Sequence, residues 1–210
     1  MSPESCPVAP TSQFRVRLCL AALITAVLGA YPLQAQFMVL PANLTYLTQS
    51  ADIIVQGRVT EVRYEGLPGY PNIPSVEVTL SVEKMVRGPA GSTYTFREAL
   101  MGLQAKTGKQ GYQVGQRLFL FFLARSRYGL CSPIGMEQGR FHIARDPSGS
   151  ETVANEWGNA GLFKNVDQDA SKAGAQLTTS QLRIATTRRG PVALDDFVSL
   201  VRQLTSLPRI

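Results

Sequence analysis

A chain of 210 residues with 44% hydrophobic side chains, 17% charged side chains and a formal charge of +6 is long enough for one core and too apolar for wholesale disorder. One histidine and three cysteines leave little material for a metal centre, so a zinc site is disfavoured from the outset. Eighteen glycines and thirteen prolines indicate many turns without low complexity.

Residues 1–35 read as a secretory signal peptide. Arg15 and Arg17 supply the positive end, and Leu18 to Ala30 is a 13-residue apolar run without charge. Pro32 breaks that run, and Leu33-Gln34-Ala35 offers a small residue for cleavage near Ala35. At 1.5 Å per residue the run reaches about 20 Å, short of a hydrocarbon core of roughly 30 Å, so an uncleaved anchor is the weaker alternative. Cleavage removes Arg15, Arg17, Glu4, Cys6 and Cys19, leaving 175 residues, a formal +5 and Cys131 as the one cysteine. The expected product is secreted or periplasmic, has no stable membrane span and can form no intrachain disulfide. Cys131 then reads as a small buried hydrophobe, with pairing to another chain as the alternative.

Along the mature chain, Asn43 to Ser50 carries Leu44 and Leu47 at helical spacing. Ile53 to Tyr64 is rich in β-branched residues, with Gly57 where a strand would bulge. Glu65 to Pro74 holds three prolines and two glycines and is expected to be a loop. Val76, Val78, Leu80 and Val82 alternate with Glu77, Thr79, Ser81 and Glu83, the pattern of a half-buried antiparallel strand. Ser92 to Arg97 is a short third strand, and Ala99 to Gly111, with Lys106 and Lys109, a flexible loop.

Leu118 to Ala124 are seven consecutive apolar residues including three phenylalanines, which fits a central strand covered on both faces. Phe141 to Arg145 and Glu151 to Asn155 bracket Asp146-Pro147-Ser148-Gly149-Ser150, a hairpin signal. Asn165 to Thr179 is polar and reads as loop or linker. Gly190-Pro191 is expected to start a helix, with Asp195 and Asp196 near its positive end and Val192, Phe197, Leu200, Val201 and Leu204 as its apolar stripe.

These elements predict a mainly β protein with flanking helices, an OB-like small β-barrel, with a β-sandwich as the alternative. The expected organisation is a signal peptide at 1–35, a barrel domain at 36–163, a polar linker at 164–189 and a C-terminal amphipathic helix at 190–210 packing on the barrel.

Catalytic material is sparse. A nucleophilic site would have to use His142, the single histidine, with Cys131 eleven residues earlier. No Gly-x-Ser-x-Gly elbow, phosphate loop or dinucleotide fingerprint accompanies them, so a Cys/His hydrolase is carried only as a weak alternative. Asp167 and Asp169 read as solvated loop carboxylates, and the adjacent Asp195 and Asp196 diverge by about 100° on a helix. Neither pair forms an acid–base site, and no cofactor or metal is expected.

The basic residues are dispersed rather than clustered. The nearest approaches to a patch are Lys106 with Lys109, and Arg125 and Arg127 with Tyr128; these five are the speculative binding residues. Nucleic acid is not expected, since aromatics spaced on an exposed sheet face are missing. Contact with a polyanion such as a polysaccharide remains an alternative.

Five blocks stand in order: Ala51 to Val59; Met85 to Pro89; Val114 to Leu123; Gln138-Gly139-Arg140-Phe141; and Asn159 to Phe163. Together they resemble a group of uncharacterised exported bacterial proteins, over roughly residues 44–205. The first two blocks are more distantly similar to the netrin-like/tissue inhibitor of metalloproteinases (TIMP) fold, an OB-type barrel. That resemblance implies an exported protein-binding module. TIMP-like inhibition uses an amino-terminal cysteine whose amine and carbonyl chelate the protease zinc. The expected mature start here is Gln36-Phe37-Met38, so that mechanism does not carry over. The leading expectation is an exported, non-enzymatic module whose partner is a protein or envelope component.

Overall fold

The computed structural model describes residues 41–100 and 111–208; the leader expected at 1–35 lies outside them. Among the described residues, no helix is long and apolar enough to cross a membrane.

The chain begins with helix α1 (Leu44–Ser50), capped by Asn43, whose side chain accepts a hydrogen bond from the Tyr46 amide. Strands β1 (Ile53–Leu67) and β2 (Tyr70–Arg87) form a long hairpin, followed by β3 (Thr93–Ala99) and β4 (Arg117–Phe122). A 3-10 turn (Met136–Gly139) leads into β5 (Arg140–Arg145) and β6 (Glu151–Asn155). Helices α2 (Val166–Lys172) and α3 (Thr179–Ala185), the two-residue strand β7 (Val192–Ala193) and helix α4 (Leu194–Thr205) complete the order. All strands pair antiparallel in one sheet, ordered β3-β2-β1-β4-β5-β6-β7.

The protein is thus mainly β with flanking helices, but the expected barrel is not closed: β3 and β7 remain edges. The sheet nevertheless rolls strongly. Phe96 on β3 and Phe122 on β4 meet with ring centroids 4.6 Å apart, although two strands lie between them in the sheet. Laid flat, three strand spacings would separate them by about 14 Å. The roll starts at irregularities in the β1–β2 pairing, one of them between Gln56 and Gly57. A Cβ at Gly57 would sit 2.6 Å from the Ser81 carbonyl oxygen, so only glycine permits that approach. Across the open side, the segment after β4 substitutes for a closing strand: the Cys131 amide donates to the Arg97 carbonyl of β3 at 2.7 Å.

Strand β4 divides two cores. Phe119 and Phe121 face the helices, where they meet Phe141, Phe197, Leu44, Leu200 and Val201. Leu118, Leu120 and Phe122 face the rolled hairpin, with Val55, Val59, Val76, Val78, Leu80, Tyr94, Phe96 and Cys131. Every β4 residue from Leu118 to Phe122 is fully buried, as its unbroken apolar run implies.

Three segments depart from expectation. Glu65 to Pro74 is strand rather than loop, apart from the tight turn Pro68-Gly69, where Gly69 has φ +81°. Proline at the second and glycine at the third position is the chemistry of a type II turn. Pro71 and Pro74 are tolerated because β3 pairs with β2 only from Ser75 onward, so both lie on an edge. The stretch 164–189 is more than the expected polar linker. It holds α2 and α3, which bury Val166, Ala170 and Ile184 in the helix-side core. The last helix starts at Leu194 instead of Pro191, because Val192 and Ala193 first pair with β6.

Candidate functional site

The structure does not bring Cys131 and His142 together. His142 pairs with Leu118 at the start of β4, while the Cys131 thiol donates to the Leu123 carbonyl just past its end, at 3.3 Å. Five residues of strand place them about 16 Å apart along β4. Cys131 is buried in the hairpin-side core with the Tyr94 hydroxyl at 3.7 Å. Burial pushes its thiol up, against the opposing pull of the Tyr94 hydrogen bond, the reverse of what a nucleophile needs. The recorded side-chain partner of His142 is Glu156, Nε2 to Oε1 2.8 Å.

His142 and Glu156 line a polar cleft of about 350 Å³ with Gln113, Gln116, Glu137 and Arg140. Beneath it lies a buried polar network. Arg140 is 6% exposed, ion-pairs with Glu137 and sits 5.0 Å over the Tyr112 ring. The Tyr112 hydroxyl donates to Glu98 Oε2 at 2.8 Å. Burial raises the Glu98 carboxyl, while the Tyr112 hydrogen bond and Arg140 pull it down. Sequence reasoning passed over this network, because Glu98, Tyr112 and Arg140 come together only through the roll of the sheet.

The blocks around Gln138 and Asn159 serve the fold. The Gln138 side-chain oxygen accepts from the Ala42 amide at 2.7 Å, and its carbonyl accepts from Asn155 Nδ2 at 3.2 Å. Asn159, fully buried with φ +58°, accepts from the Asn155 amide and donates to the carbonyls of Val153 and Gly190. A Cβ at Gly139 would lie 2.6 Å from the Ile134 carbonyl oxygen.

The remaining sequence candidates divide. Lys106 and Lys109 lie outside the described residues. Arg125, Arg127 and Tyr128 fall in the segment that crosses the open side of the sheet, and the structure brings Tyr128 to the tip of the β1–β2 hairpin. Arg125 Nη2 donates to the Thr95 carbonyl at 2.8 Å, fastening the segment to β3. Arg127 Nη2 donates to the Tyr128 hydroxyl at 2.6 Å, with the guanidinium 4.7 Å over that ring. Tyr128 meets Tyr70 of the hairpin edge-to-face, centroids 5.7 Å apart.

Leu67, Tyr70, Ile73, Tyr128 and Leu130 wall an apolar pocket of about 240 Å³. Tyr70, Ile73 and Tyr128 are 48%, 43% and 45% exposed, so three large apolar side chains meet water at one place. No ion pair is recorded for Arg125 or Arg127 among the described residues, whereas Arg63, Arg97, Arg117, Arg140 and Arg145 each meet a glutamate. The hairpin half of this surface was hidden in the sequence by its reading as a proline-rich loop.

Among the described residues no group of three or more histidine, cysteine or acidic side chains could hold a metal ion. The chain matches no protein-family model, and no curated protein matches it.

Proposed function

We propose that the chain is an exported, non-catalytic module that docks a protein partner through the tip of its β1–β2 hairpin. The observation that carries this reading is the apolar pocket walled by Leu67, Tyr70, Ile73, Tyr128 and Leu130, with Arg127 lying over the Tyr128 ring. Tyrosine and arginine are the residue types on which binding energy concentrates in protein interfaces. A contiguous exposed apolar patch is costly unless something covers it. The rolled sheet supports the OB-like, netrin/TIMP-like likeness, in which loops on a rigid β scaffold do the binding. Export is supported by the charged, then apolar, then small-residue order of residues 1–35.

The Cys/His hydrolase reading loses support from the separation of Cys131 and His142 along β4. The polyanion reading keeps Arg125 and Arg127, but the pocket that Tyr128 walls is lined by apolar and tyrosine side chains, and a polyanion supplies nothing to fill it.

The direct test places a photo-crosslinking amino acid at Ile73 in the producing host and identifies the cross-linked protein by mass spectrometry. The purified pair is then titrated with and without Tyr128→Ala. A specific partner whose affinity falls at least tenfold on that substitution supports the reading. Cross-links that scatter without a common partner, or an affinity indifferent to Tyr128, reject it.

A further inference from the structure

Resting on the docking role of the hairpin tip, we infer that the partner presents an acidic peptide segment with a single apolar or aromatic anchor residue. The anchor fills the pocket between Tyr70 and Tyr128, and flanking carboxylates meet Arg127 at the rim.

The size of the pocket speaks first. At about 240 Å³ it lies below the roughly 300–1,000 Å³ of sites that enclose small-molecule ligands, which suits one or two side chains. Its named walls are leucine, isoleucine and tyrosine, so the inserted group is apolar.

Charge speaks second. Arg127 spends one donor on the Tyr128 hydroxyl and lies over that ring, which holds the guanidinium against one of the side chains that wall the pocket. Its remaining donors form a fork suited to a carboxylate, and no carboxylate of the described chain is recorded against it. Arg125 adds a second cation to the same segment and likewise has no recorded ion pair, its Nη2 being bound to the neutral Thr95 carbonyl. An acidic partner therefore gains complementarity twice, at contact and through steering by the net positive chain.

Shape decides between a peptide and an anionic membrane. Lipid surfaces are entered by projecting apolar side chains, whereas here Leu67, Tyr70, Ile73, Tyr128 and Leu130 wall a depression. A depression receives an anchor.

The test uses the full chain and a display library of random eight-residue peptides, with enriched peptides resynthesised and titrated by fluorescence anisotropy. The expected consensus carries one Leu, Phe, Ile or Tyr flanked by Asp or Glu. Tyr128→Ala should weaken it at least tenfold, and Arg127→Gln about threefold to tenfold with a flatter salt dependence. Both side chains lie on the surface, and unchanged circular dichroism and melting temperature serve as the folding control. Enriched peptides that are neutral or basic yet still lose binding with Tyr128→Ala overturn the acidic chemistry and leave the docking tip standing. Peptides indifferent to Tyr128→Ala, or no enrichment at all, overturn both. Tyr128-dependent binding to vesicles of anionic phospholipid that exceeds binding to every peptide assigns the tip to a membrane and overturns the inference.

Discussion

The two faces of β4 provide a matched pair of perturbations. Phe121 and Phe122 are adjacent, both fully buried, and point into different cores. Truncating either to alanine deletes the same atoms. Each loses about 3–5 kcal/mol, a large part of a total stability of roughly 5–15 kcal/mol. For a domain of this size that lowers the melting temperature by about 6–20 °C. The local consequences differ. Phe121 packs against Phe141 and Phe197, so Phe121→Ala loosens α4 against the sheet. Phe122 packs against Phe96 and Tyr94 and forms an isolated bridge with Pro133, so Phe122→Ala undermines the segment that carries Arg127 and Tyr128. Hydrogen exchange at the Cys131 amide, which donates to the Arg97 carbonyl, reads the difference. Below the melting range of both variants, that amide should exchange faster in Phe122→Ala by a larger factor than in Phe121→Ala. Equal melting losses with equal exchange at Cys131 would refute the division into two cores.

Asn159→Ala removes three side-chain hydrogen bonds worth about 1 kcal/mol each and forces alanine into the left-handed region at about 1 kcal/mol more. A urea titration should show a loss of about 4 kcal/mol, with Asn159→Gly recovering only the backbone part; a loss under 1 kcal/mol contradicts the clamp. Glu98 titrates above its ordinary value of 4.5, chiefly through burial, so the native state binds this proton more tightly than the unfolded chain. Its contribution is therefore most favourable below that value and is lost as pH rises toward the raised one. Glu98→Gln removes this group's contribution to the slope, so the difference between the unfolding midpoints from pH 3.5 to 7 should move in favour of the variant as pH rises; a gap moving the other way rejects the assignment. Amino-terminal sequencing of the protein recovered outside the cytoplasm should begin at Gln36, and a chain retaining residues 1–35 refutes cleavage near Ala35.

Where a local pattern had one physical solution, the fold was legible. The apolar run after Arg117 could be satisfied only by burial on both faces, and β4 is so buried. Asp146 to Ser150 turns because the Asp146 carboxylate accepts from the amides of Ser148 and Ser150, chemistry contained within five residues. Closure was not legible. Whether antiparallel strands seal into a barrel depends on how far the sheet rolls and on whether its edge strands meet, and neither is a property of any one segment. Here the post-β4 segment reaches β3 first, through Cys131 and Arg125, and occupies the edge a closing strand would need. The helices α2 and α3 were missed because each lies in a polar stretch and buries too few apolar positions to set a period, whereas the equally short α1 carries Leu44 and Leu47.

The candidate site was half legible for the same reason. Arg127 and Tyr128 are neighbours, so their pairing of cation and ring could be suspected from the chain alone. Tyr70 and Ile73 lie more than fifty residues away in a stretch whose prolines argue against any strand. Their place follows from β2 being an edge there, a fact about β3 and not about residues 70–74. The same geometry separates scaffold from site. From Gly66 to Ile73 the hairpin tip buries only Leu67, while Val76, Val78 and Leu80 farther down β2 supply the core. The tip thus adds little to stability while exposing Tyr70 and Ile73 beside Tyr128. The Glu98–Tyr112–Arg140 network is the converse: chemically rich but largely buried, reaching the polar cleft only through Arg140 and its partner Glu137. Polarity alone would have pointed to the network, and accounting for burial points to the tip.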